Sequence, residues 1–412
     1  MKKVLPILLA AIMIAAAVAC NAAEKEVTLM VINAFTKTPD APLYKAAEKF
    51  RRETGIRVHI EPVPATNIKD KFVTSALAGG GPDIVSLDNA GWVPDAAAMG
   101  LLANLDRKFK PLRNQFLDGS VATGLFKGSY YSVPWYTNNT ALIYNKKLFQ
   151  KAGISQPPAT WNELAEAVRK LKAIGKYGIS MPLDSLGGYV ICNFFFQNGN
   201  PIIDTRGAKP KVVLNNKSGQ EAFKFVSELH TKYKAIPESC KAALSWDQTF
   251  APFIQEDAGM LLSGDWAIGA IQAGNPNLEY GIAPLPKGRL NATTLGGYVL
   301  AVNKNTKDFE ASWKFLRWLT AKEQNNVLLD YFRIGARKDI DKTALLKQVP
   351  YFEVFIDQGK YGKARPVIQR WEDMQKAIGD AFTAVFIGGA DYKEALKKCE
   401  QNLNEIIASS NR

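Results

Sequence analysis

The chain has 412 residues, 47% of them apolar and 22% charged, with a formal charge of +13. That length exceeds one ordinary hydrophobic core, so two lobes are expected, and the composition is that of a globular protein. The positive excess does not make a nucleic-acid binder. Basic residues are interleaved with acidic ones, as in Glu48-Lys49-Phe50-Arg51-Arg52-Glu53, and neither a basic arm nor a DNA or RNA module is present.

Lys2 and Lys3 precede a nearly unbroken apolar run from Val4 to Val18. About 15 residues suit the core of an export signal and fall short of the roughly 20 that span a bilayer. The run ends in Ala17-Val18-Ala19-Cys20, which resembles a lipoprotein cleavage box except that Ala17 stands where Leu is usual. Cleavage there would leave residues 1–19 as signal and Cys20 as an acylated N-terminus held at a membrane. Ordinary secretory cleavage after Ala19 or Ala23 is the alternative. No later stretch is long and apolar enough to span.

A strand is expected at Val27–Ile32, then a helix from about Ala41 capped by Asp40 and stopped by Gly55. Ile56, Val58 and Ile60 alternate as a strand. A helix from Ile68 to Ala78 runs into Gly79-Gly80-Gly81-Pro82, followed by a strand over 83–87 and a helix ending near Gly100. This alternation implies a parallel sheet flanked by helices. Ligands of such sheets lie beyond the carboxyl ends of the strands, which puts Asn33–Thr36 and Asp88–Trp92 on the ligand side and the triple glycine at the other end. Thr160-Trp161-Asn162-Glu163 is a capping box. Helices follow at 219–233 and 246–255, a strand at Tyr298–Val302, a helix at Phe309–Leu319, and an amphipathic helix through Leu396, Leu403 and Ile407. No repeat or low-complexity linker appears, so two lobes would be joined by strand crossovers.

Beyond Cys20 there are Cys192, Cys240 and Cys399, an odd number that allows at most one intrachain bridge. Their spacing suits no zinc site, and His59 and His230 have no ligating neighbours. A glycosidase would need two carboxylates flanking one bond. Asp88, Asp184 and Asp265 each read singly, as helix caps or hydroxyl acceptors. With no metalloprotease, hydrolase or phosphate-loop motif, no catalytic residue, metal or cofactor is expected.

Several blocks resemble the sugar-type extracellular solute-binding proteins of ABC importers, the group that includes maltose-binding protein. They run in order from Glu48-Lys49-Phe50 and Thr54–Val58 through Gly81–Val85 to Val133-Pro134-Trp135-Tyr136-Thr137-Asn138. After these come Leu142–Lys146, Pro158–Leu164, Gly264-Asp265-Trp266, Gly296–Val302 and Trp313–Leu316. The resemblance implies an α/β, two-lobed periplasmic-binding-protein fold, each lobe a mainly parallel sheet flanked by helices, joined by hinge crossovers near Asn139, Thr294 and Phe332. Residues 24–138 and 294–331 would form the N-terminal lobe, and 139–293 and 332–412 the C-terminal lobe. It also implies closure around a solute, an ABC permease as partner, and a monomer that meets membrane only through a lipid anchor.

A pyranose offers apolar faces and a hydroxyl rim, so its site needs aromatic surfaces and short polar groups. Trp313, Trp318 and Trp161 read as packing residues, whereas Trp92, Trp135 and Trp266 lie in or beside cleft-side loops. Position by position, the resemblance assigns ligand contacts to Asn33, Phe35, Asp88, Trp92, Trp135, Tyr136, Asn138, Tyr189, Trp266, Gly297, Tyr298 and Arg337. Asn138 departs from the family's frequent Asp or Glu, and Trp371 is a further aromatic near the third hinge. A polyamine, a phosphodiester or an anionic sugar is the alternative solute.

Overall fold

The computed structural model describes residues 24–410 apart from 89, 184–186, 208 and 242–244. The expected signal segment 1–19, Cys20 and Asp184 lie outside the described residues. The strand Lys25–Ile32 lies between Ile56–Val63 and Ile84–Asp88 and runs parallel to both. The first crossover helix, Pro42–Thr54, buries Leu43, Ala46, Ala47 and Phe50 and ends at Gly55 in the left-handed region, φ 72°. Asp40 does not cap it. Ala41 is the N-cap and Pro42 opens the first turn, where a missing N–H and a fixed φ start a helix without side-chain help. The carboxylate of Asp40 instead lies 3.6 Å from Lys45. At Trp161–Ala173 the capping box forms, with the Glu163 N–H donating to Thr160 Oγ1 at 3.2 Å and the Ala159 N–H donating to Glu163 Oε2 at 2.7 Å.

The strand Ser132–Asn145 ties the molecule together. Up to Asn139 it pairs antiparallel with Thr293–Val302, and from Thr140 it pairs antiparallel with Ala258–Gly264. Thr293–Val302 in turn runs antiparallel to Ile84–Asp88, while Ala258–Gly264 runs parallel to Tyr177–Ser180. Parallel pairs therefore occupy the two outer parts of the sheet and antiparallel pairs its middle. Around the change of partner, side chains bind main chain. Asn139 Nδ2 donates to Phe355 O, Gln358 Nε2 to Thr140 O, and the Thr294 N–H to Asn193 Oδ1.

Two large apolar cores flank this strand. One gathers Val27 through Tyr136 with Val299 through Leu328, and the other is built mainly from Leu142 through Ala292 with Trp371 through Ile406. The second contains a helix, Gly187–Gln197, whose eleven residues are all buried. Cys192 and Cys399 are free thiols in that core, and burial pushes both up to about 12. Among the described residues no helix is long and apolar enough to cross a membrane.

Candidate functional site

The site grows from the register between the two central strands. Gly296 faces Asn138, Gly297 faces Thr137, and Tyr298 faces Tyr136 before a bulge. Gly297 has φ 131°, and a Cβ there would run into the Tyr136 carbonyl oxygen. A Cβ on Gly296 would run into Asn138 Oδ1 and come within 2.9 Å of the Tyr189 hydroxyl. Two residues without side chains thus let a tyrosine from the second core reach the central strands, where its hydroxyl donates to Thr294 O at 3.2 Å.

Aromatic rings surround that point. Tyr136 and Tyr298 stack at 5.4 Å, and Trp92 meets Tyr298 edge-on at 6.3 Å. From the other side, Trp266 meets Tyr189 edge-on at 5.9 Å and lies over Gly264, where a Cβ would collide with its indole. Burial raises the phenols of Tyr136, Tyr189 and Tyr298 above their ordinary range, so all three are neutral hydrogen-bonding groups.

Two acid–arginine pairs complete the cluster. Arg365 Nη2 donates to Asp88 Oδ1 at 2.7 Å, Nη1 donates to Gln375 Oε1, and the guanidinium lies 4.9 Å over the Tyr189 ring. Asp265 is fully buried, 4.0 Å from Arg333 Nη1, and apart from the Trp266 backbone N–H its oxygens meet no protein donor. Burial raises its carboxyl to about 7, against the pull of Arg333 and the Trp266 N–H. Arg333 also lies 5.9 Å from the Tyr136 ring and donates to the Tyr331 and Phe332 carbonyls. The Trp266 indole nitrogen is likewise buried without an acceptor. A surface of flat rings with buried donors and acceptors left for a guest suits a polyhydroxylated molecule.

The structure brings together Asp88, Trp92, Tyr136, Asn138, Tyr189, Trp266, Gly297 and Tyr298. Phe35 and Trp135 sit behind this surface, packed on each other at 4.8 Å and on Tyr136. Asn33 is exposed in the short turn Asn33–Phe35. Arg337 is the residue that sequence reasoning misplaced. Its guanidinium is held by Asp339 at 2.7 Å, by Gln115 and by the Thr320 carbonyl, beside the Phe116 ring. The arginine that reaches the cluster is Arg333, on the other side of the two-residue strand Ile334–Gly335, which pairs with Tyr136 and Thr137. Arg365 was also missed, and Asp265 was read only as a lone helix cap or hydroxyl acceptor. Asp265 carried a signal, since it directly precedes a tryptophan after an apolar strand, but Arg365 carried none. Trp371 is 1% exposed, inside the second core.

The model of the bacterial extracellular solute-binding proteins matches residues 35–326. The chain belongs to that family. A binding protein of Brucella abortus is 26% identical over 407 residues, 95% of each chain. The maltotriose-binding protein of Pyrococcus abyssi is 25% identical over 359 residues, 82% of this chain and 73% of that one. A solute-binding protein of an ABC transporter from Thermotoga lettingae, solved with α-D-tagatose, superposes with a TM-score of 0.83 at 25% identity, covering 93% of this chain and all of that one. The extracellular solute-binding family implies export, and its two-lobed fold is the one these strands build.

Proposed function

We propose that the chain is the substrate-binding subunit of an ABC importer, capturing a sugar or short oligosaccharide between two lobes and delivering it unaltered to the permease. The observation that carries this reading is the buried Asp265 carboxyl, short of protein donors, beside Trp266 and the Tyr136 ring on which Tyr298 stacks. Sugar hydroxyls would donate to the carboxyl while C–H faces cover the rings. The sugars bound by the maltotriose-binding and tagatose-bound relatives support the same chemistry.

The lobes would comprise 24–138 with 294–331, and 139–293 with 332–412, hinged near Asn139, Thr294 and Phe332. The change of strand partner at Asn139 and Thr140 and the left-handed φ of 55° at Phe332 support two of these places. Lipid attachment at Cys20 would hold a monomer at the membrane surface, as the apolar leader and its small residues suggest.

Mass spectrometry of small molecules released from the purified protein, with a thermal-shift panel including maltotriose and tagatose, tests the reading. A bound saccharide, or a rise in melting temperature with one sugar class, is expected because a ligand of the native state stabilises it. A shift with spermidine or a phosphodiester and none with any sugar would overturn it. Conversion of the bound sugar to a product would overturn the carrier role.

A further inference from the structure

Next to the aromatic cluster, a second set of polar contacts joins the two cores. The helices Ile68–Leu77 and Trp92–Ala98 pack into the first core through Ile68, Phe72, Val93 and Ala96. The helix Trp371–Phe386 packs into the second through Trp371, Met374 and Ile378. Between them, Asp95 Oδ1 accepts the Arg370 N–H at 2.7 Å, and Asp95 Oδ2 lies 3.0 Å from Lys69 Nζ. The same ammonium lies 2.8 Å from Glu372 Oε2.

The local backbone is shaped for this meeting. Gly91 has φ 80°, and a Cβ there would stand 2.8 Å from Trp371 Cβ, so the loop before one helix abuts the start of the other. Arg370 adopts φ 58°, unusual for a residue with a side chain, which turns its N–H onto Asp95. Asp95 thereby acts as an acceptor at the N-terminus of a sixteen-residue helix of the other core, where partial positive charge favours a carboxylate. The Asp95 side chain is 7% exposed and Lys69 20%, so solvent screens these contacts only in part.

We infer that Asp95, Lys69, Glu372 and the Arg370 amide form a latch that holds the lobes together without the solute. This rests on the reading that the two cores move as lobes, not on which solute lies between them. Opening breaks the Asp95–Arg370 and Lys69–Glu372 contacts and leaves Asp95–Lys69 intact, because that pair sits on one core. A ligand then binds a protein whose closed form is already populated, and the latch sets how slowly the ligand leaves.

Small-angle scattering of ligand-free wild type, Glu372→Gln and Asp95→Asn tests the latch directly. The wild-type profile should contain a substantial closed share that matches this structure, and both variants should have a larger radius of gyration. Glu372 is half-exposed, so its substitution reads the latch even if Asp95→Asn fails to fold. With a sugar found by the thermal-shift panel, dissociation from Glu372→Gln should quicken by about three- to tenfold with little change in association rate. A fully open ligand-free wild type, or a radius of gyration identical in wild type and Glu372→Gln, would overturn the latch. Neither result would bear on the sugar assignment, which the panel decides separately.

Discussion

Arg365 lies 277 positions from Asp88 in sequence, yet its Nη2 stands 2.7 Å from that carboxylate while its plane covers Tyr189. One side chain thus links the end of a first-core strand to an aromatic residue of the second core. Arg365→Met keeps bulk and removes the donor. Native stability should fall by roughly 1.5–3 kcal/mol, the scale of a hydrogen bond to a charged group, as read from urea denaturation. Sugar affinity should fall with it, as read by calorimetry.

Trp266 and Trp135 should separate cleanly. Trp266 is half-buried over Gly264, so Trp266→Ala is expected to weaken sugar binding by at least about tenfold while scarcely moving the ligand-free melting temperature. Trp135 is 2% exposed between Phe35 and Tyr136, and its truncation should cost about 3–5 kcal/mol of stability. Equal losses of stability in both variants would make Trp266 a packing residue.

Asp265 gives stability a pH dependence. Its carboxyl titrates at about 7 when buried and at about 3.9 in an unfolded chain. Between those values the unfolded chain has lost the proton that the native protein keeps, so stability declines as pH rises through that window and is flat on either side. In Asp265→Asn this contribution should vanish, narrowing the gap between denaturation free energies at about pH 4.5 and about pH 8 by roughly 2–4 kcal/mol.

The glycine pair should respond unequally to alanine. Gly297→Ala meets both a positive φ and a fixed carbonyl, and is expected to lose roughly 1–3 kcal/mol. Gly296→Ala meets side-chain atoms of Asn138 and Tyr189 that can swing aside, so its larger effect should be on sugar affinity. Melting temperatures and binding isotherms of the two variants check the contrast.

Cys192 and Cys399 should resist alkylation by iodoacetamide until the protein unfolds, because burial keeps both thiols protonated. Peptide mapping after native and denaturing labelling reads this directly.

Short-range chemistry was largely legible in the sequence. Gly55 stopping a helix, Thr160 with Glu163 opening one, and the helix at 309–319 depend on neighbours within a few positions. The buried helix Gly187–Gln197 was not legible, since a segment apolar on every side lacks the 3.6-residue alternation by which helices are read. Strand direction in the middle of the sheet was equally hidden, because it depends on which distant segments pair. In the site, ordered motif blocks pointed to Tyr136, Trp266 and Tyr298, and the position-by-position resemblance to Tyr189. Arg333 and Arg365 escaped notice because a lone arginine in a loop acquires meaning only from carboxylates far away in the chain, Asp265 and Asp88.

The change of partner along Ser132–Asn145 also has a consequence for how the molecule is made. The first core closes only when Val299–Val302 reaches Ile84–Asp88, so a polypeptide emerging residue by residue must extend past position 302 before its earliest strands can be sealed. Such distant pairing postpones collapse into a finished unit. The nascent chain therefore lacks a sealed first core until most of it has been synthesised.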